Sequence, residues 1–107
     1  MGAEGKIILS GFSLEPAEKA IVDNLIQNYK NKITEKLGYE EIRLRLKKSK
    51  HGKAFLHEVQ GTLIRGKRYN TKVIDYNLFS AIAETFEKLM REAEHEKRTR
   101  KEIGERR

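Results

Sequence analysis

Two periods run through the apolar positions of this chain. Over residues 41–47 hydrophobic and charged side chains alternate strictly, with Ile42, Leu44 and Leu46 on one side and Arg43, Arg45 and Lys47 on the other. That alternation predicts a half-buried strand with three cations aligned on its wet face. Over residues 14–37 the step lengthens to three and four, and Ala17, Ile21, Val22, Leu25, Ile26, Tyr29, Ile33 and Leu37 make one continuous stripe. The stripe predicts an amphipathic helix, with Ser13 as its cap, Glu15 and Pro16 in its first turn and Gly38 as the left-handed residue that ends it. A second stripe, Leu78, Phe79, Ile82, Phe86, Leu89, Met90 and Ala93, predicts another helix, capped by Asp75 or Asn77. After Ala93 only Ile103 is strongly apolar. Residues 94–107 are therefore expected as a charged, solvated helical extension fraying into a disordered tail.

The segments between these elements read as strands and turns. Residues 6–12 are short, β-branched at their start and closed by Gly11, which predicts a strand. Residues 48–53 are polar and contain Gly52, the composition of a hairpin loop. Over 54–64 the expected inward set is Phe55, His57, Val59, Gly61 and Leu63, with Leu56, Glu58, Gln60, Thr62 and Ile64 outward and Gly61 read as a bulge. Residues 65–68 form the next turn, around Gly66, and residues 69–74 a fourth strand whose register the pattern leaves open. The resulting order, β-α-β-β-β-α, is an α+β two-layer sandwich, a four-stranded sheet with both helices on one face, because each helix has one apolar stripe and the strands one apolar side. The first two strands, if adjacent, are parallel neighbours through a right-handed crossover. Residues 1–93 are expected as a single domain, and no internal repeat is present.

Charge changes the picture more than composition does. The chain has 107 residues and a formal net charge of +7. Residues 1–40 carry a net −1, residues 41–72 a net +8 and residues 73–107 a net 0. Positive charge confined to the middle third concentrates polyanions near one part of the surface.

The same residues argue against catalysis. Cysteine is absent, which removes disulfides, thiolate zinc sites and a catalytic thiol. His51, His57 and His95 fall in a loop, a strand and a helix tail without paired ligand spacing, and His57 reads as a satisfied core imidazole. No glycine-rich phosphate cradle occurs, and the acidic residues interleave with lysines as helix-surface pairs do. The expectation is a non-enzymatic, cytoplasmic protein with no metal, no cofactor, no small-molecule substrate and no membrane segment. Tyr39, Tyr69 and Tyr76 are the aromatic residues expected near the basic zone. Backbone and shape recognition of RNA is thus favoured over stacking on single strands. A general double-stranded-RNA-binding module, and an adaptor whose basic sheet meets an acidic protein, both remain open on this reading.

One resemblance narrows these alternatives. The stretch Tyr76-Asn77-Leu78-Phe79-Ser80-Ala81-Ile82 opening the second helix, Phe86-Glu87-Lys88-Leu89-Met90-Arg91-Glu92 one turn on, and Ser10-Gly11 leading into Leu14-Glu15 and Ala20-Ile21 resemble the ribosome hibernation promoting factors. These are also called ribosome-associated translation inhibitors or sigma-modulation proteins. The likeness covers about residues 6–101. It implies a fold related to double-stranded-RNA-binding domains and a stress-linked role: binding rRNA in the mRNA/tRNA cleft of the small ribosomal subunit and holding idle ribosomes inactive. It places the family's helix-borne cations on Lys88, Arg91 and Lys97, with Arg98, Arg100 and Lys101 continuing the run. Glu92, Glu94 and Glu96 make this helix more acidic than the family pattern. The chain looks like the short form, without the dimerisation domain of long members, and is expected to be a monomer off the ribosome. The candidate RNA contacts are Arg43, Arg45, Lys47, Lys48, Lys50, Lys53, Arg65, Lys67, Arg68, Lys72, Lys88, Arg91, Lys97 and Arg98.

Overall fold

A computed structural model describes residues 5–105, with side chains described for residues 5–95. The elements are β1 (Lys6–Ser10), α1 (Pro16–Lys36), β2 (Glu41–His51), β3 (Ala54–Ile64), β4 (Arg68–Asp75) and α2 (Leu78–Glu105). The four strands form one sheet in the order β1-β2-β3-β4. β1 runs parallel to β2, and the other two pairings are antiparallel. The α+β order and the parallel β1–β2 pair are those expected from the patterning.

Period-two alternation decides what lies on each side of the sheet. Ile42, Leu44 and Leu46 of β2 pair with Leu63, Gly61 and Val59 of β3, and Val59 pairs with Val73 of β4. All of these residues are buried. Over them lie Val22, Ile26 and Ile33 of α1 and Ala81, Ile82, Phe86, Leu89 and Met90 of α2, so one core joins both helices to one sheet face. The helices meet where the Tyr29 and Phe86 rings stack, centroids 4.9 Å apart. Each buried Val, Leu, Ile, Phe and Met among them supplies about 1.5–3 kcal/mol of transfer free energy, the principal force holding the two layers together.

The hairpin loop expected over residues 48–53 is shorter, since β2 takes residues 48–51, and three further local readings change. The cap of α1 is Glu15 rather than Ser13: Glu15 precedes Pro16, which disfavours a helical conformation for it and holds it extended at φ −73°, ψ 156°. Its backbone N–H donates to Glu18 Oε1, three residues on, at 3.4 Å. Gly61 is no bulge, because the β3 register with both neighbours runs through it unbroken. It is small because a Cβ there would stand 2.5 Å from Thr85 Cγ2 and 3.1 Å from Leu89 Cδ1; the missing side chain lets α2 approach the sheet. Phe55 keeps the expected inward parity but is exposed, lying one residue into β3 at the hairpin end of the sheet.

Other signals hold as read. Asn77 Oδ1 accepts from the Ser80 N–H at 2.9 Å, and Asp75 Oδ1 accepts from the Asn77 N–H at 2.9 Å, so both candidate caps act at the start of α2. Gly38 has φ +70° and donates its N–H to the Ile33 carbonyl, closing α1. His57 is buried and its Nδ1 donates to the Tyr76 carbonyl at 3.0 Å. α2 continues helical through the segment expected as an extension, giving a 28-residue rod; Arg106 and Arg107, where the tail was expected, lie outside the described residues.

Candidate nucleic-acid interface

Among the described residues, nothing covers the face of the sheet opposite the helices. Following the registers across it, one row carries Lys6, Glu41, Ile64 and Arg68, the next Ile8, Arg43, Thr62 and Asn70, and the next Ser10, Arg45, Gln60 and Lys72. Lys47, Glu58 and Ile74 make a fourth row. Arg43, Arg45, Lys47, Arg68 and Lys72 are all exposed. Six cations thus stand against two carboxylates on this face, because each strand sends every second residue to it.

Hydrogen bonds order its middle. Glu41 accepts from Arg43 Nε, Gln60 Nε2 donates to Glu58 Oε2 at 3.1 Å, and Thr62 Oγ1 donates to Asn70 Oδ1 at 2.9 Å. Two shallow depressions flank this line. One is bordered by Ile8, Ser10, Arg43 and Arg45, the other by Asn70, Thr71 and Lys72, with Gln60 and Thr62 shared between them. Guanidinium and ammonium groups around hydroxyl and amide groups suit a polymer of phosphates and ribose hydroxyls.

The remaining sequence-predicted contacts fall elsewhere. Lys48 and Lys50 have the parity of Leu46 and so point to the helix side of the hairpin, Lys48 Nζ lying 5.6 Å from the Phe55 ring centroid. Lys53 is exposed at the hairpin turn. Arg65 is half-buried and donates Nε to the Leu37 carbonyl at 3.0 Å, tying the β3–β4 turn to the end of α1. Lys67 is exposed in that same turn. On α2, Lys88 pairs with Glu84 at 3.6 Å, and Arg91 borders a groove with Tyr69, Glu92 and His95. The side chains of Lys97 and Arg98, and of Arg100 and Lys101, lie outside the described residues. The structure therefore brings five candidates together on the sheet, sets three at the hairpin, and leaves Lys88 and Arg91 in the helix layer.

Sequence reasoning missed Lys6, which the β1–β2 register places in the first row of the face; its position in the opening strand, one residue before the apolar run, was the available signal. It also counted Phe55 as core. Among the described residues there is no group of His, Asp or Glu side chains arranged to hold a metal ion, and no helix is long and apolar enough to cross a membrane.

This architecture is shared with two solved structures. The structure of a ribosomal subunit interface protein from Coxiella burnetii matches with a TM-score of 0.59 at 12% identity, over 86% of this chain and 97% of that one. The N-terminal domain of Protein Y from Thermus thermophilus matches with a TM-score of 0.52 at 19% identity, over 81% of this chain and 90% of that one. No protein-family model and no curated protein sequence matches the chain. At these identities the likeness is one of fold.

Proposed function

We propose that this protein is a ribosome-binding hibernation factor that inhibits translation by occupying the mRNA/tRNA cleft of the small subunit through contacts to rRNA. The observation that carries the reading is the uncovered cationic sheet face, on which Arg43, Arg45 and Lys47 project from one strand beside Lys72 and Arg68. The fold shared with a ribosomal subunit interface protein supports the choice of the ribosome among RNA partners. Mechanism is steric: cations on a rigid sheet hold phosphates, and the folded domain fills the space that mRNA and tRNA need. Phosphate contacts position the protein without reading base sequence, as an inhibitor of all translation requires.

Co-sedimentation with purified small subunits at low salt tests it. Wild-type protein is expected in the ribosomal pellet and to compete with tRNA for the subunit, and the triple variant R43E/R45E/K47E to remain in the supernatant. Unchanged pelleting of that variant would remove the sheet face from the interface. Equal affinity for a plain RNA duplex and for subunits would replace the ribosomal reading with a general duplex-binding module.

A further inference from the structure

Around the hairpin end of the sheet from the cationic face, on the helix side, lies a second surface that phosphate binding does not use. Phe55 is 49% exposed and Tyr76 is 60% exposed, and the two border one groove of about 370 Å³ together with Glu15, Glu18 and Lys48. We propose that this groove is a stacking subsite for one unpaired nucleobase of the RNA held by the sheet, guanine fitting it best. The inference rests on the RNA-binding reading above and adds what part of the RNA this end of the molecule takes.

Its composition separates base from phosphate. The carboxylates of Glu15 and Glu18 repel a phosphate from the groove, while Lys48, Lys50 and Lys53 on the overhanging hairpin attract one to its rim. A base can enter where its phosphate cannot. Aromatic rings accept the face of any base, and a carboxylate accepts N–H groups from a base edge. Guanine offers an imino and an amino N–H side by side, so it can donate to both oxygens of one carboxylate. Lys48 Nζ now lies 5.6 Å from the centre of the Phe55 ring; a base taking that ring face leaves the ammonium to its own phosphate. Tyr76 is pre-positioned, since its carbonyl is held by buried His57 at 3.0 Å, which lowers the ordering cost of binding. The groove has room for a base, and the exposed aromatics serve no core.

Three RNA hairpins of identical stem test the subsite: fully paired, with one bulged guanosine, and with one bulged abasic nucleotide. Fluorescence anisotropy at fixed salt is expected to show about tenfold tighter binding to the guanosine bulge than to the other two. The variant F55A/Y76A is expected to bind all three alike, at the wild-type affinity for the paired stem. Both side chains are exposed, so the variant keeps its fold, which circular dichroism checks. Equal wild-type affinity for all three RNAs, abasic binding as tight as guanosine binding, or a uniform loss of affinity in F55A/Y76A each overturns the proposal. Bulge preference without small-subunit binding would remove the ribosomal reading and leave the subsite standing; subunit binding without bulge preference removes the subsite alone.

Discussion

Burial at the contact between the helices, with the Glu87 carboxylate accepting its hydroxyl at 2.8 Å, pushes the Tyr29 pKa up from 10.0 to about 12. The same hydrogen bond holds the Glu87 carboxyl below its ordinary value of 4.5, against the opposing effect of partial burial, and Lys32 and Arg91 add to the lowering. Glu87 therefore contributes stability at pH above its unfolded value and loses it as pH falls through its depressed folded value; Tyr29 contributes below pH 10 and loses it as pH climbs through about 12. Because the Glu87 side chain is 40% exposed, Glu87→Gln is expected to cost less than about 1 kcal/mol at pH 7. Urea denaturation should show that deficit closing under acid conditions. In a phenolate absorbance titration, Tyr29 should ionise at lower pH in Glu87→Gln than in wild type yet still above 10, since burial is the larger cause; an unchanged titration would sink the pairing. Gly61 poses a packing question at the same scale. Adding a methyl 2.5 Å from Thr85 Cγ2 should destabilise Gly61→Ala by about 1–3 kcal/mol. Thr85→Ser removes that methyl, so the double variant should be more stable than the two single changes predict by addition.

At the scale of elements, each helix and strand begins and ends where a local device says so. Gly38 shows this in isolation: its φ is +70° and, beyond its own chain neighbours, no heavy atom lies within 4 Å of where an added methyl would stand. Gly38→Ala should therefore cost about 1–2 kcal/mol from backbone strain alone, read as a lowered midpoint in thermal unfolding with RNA binding intact. Such devices are short-range, which is why the elements could be read from the chain. The 41–47 alternation gave β2, the two stripes gave α1 and α2, and Asp75 and Asn77 gave the start of α2. What escaped was long-range. Gly61 looks like a bulge until α2 lies over it, and Phe55 shares parity with Val59 but not its cover. The length of a strand does not reveal how far a helix will shade it. The cationic face was legible for Arg43, Arg45 and Lys47 because they share one strand, whereas Lys6, Arg68 and Lys72 join them only through registers with other strands. Arg65 was legible as a cation, but its Nε bond to the Leu37 carbonyl, 28 residues away, was not.

The whole molecule divides its cations between two sides, and that division makes the mode of binding measurable. Lys6, Arg43, Arg45, Lys47, Arg68 and Lys72 share the bare face of the sheet, while Lys88 and Arg91 belong to the layer behind it, close to Glu84, Glu87 and Glu92. A single RNA surface meeting the sheet head-on cannot at once reach the back of the helix layer. If about six sheet cations each neutralise a phosphate, log affinity should fall with log salt at a slope of roughly −4 to −5. Neutralising Arg45 and Lys72 as R45Q/K72Q should flatten that slope by about 1.5 and weaken binding at low salt, because two counterions fewer are released. Neutralising Lys88 and Arg91 as K88Q/R91Q should leave the slope unchanged for a short duplex that covers only the sheet. On the small subunit the two pairs separate the geometries: rRNA confined to the sheet leaves K88Q/R91Q at wild-type slope, whereas a cleft that closes around the domain flattens it for both. A short duplex whose slope responds to K88Q/R91Q but not to R45Q/K72Q would move the interface to the helices and overturn the assignment of the sheet.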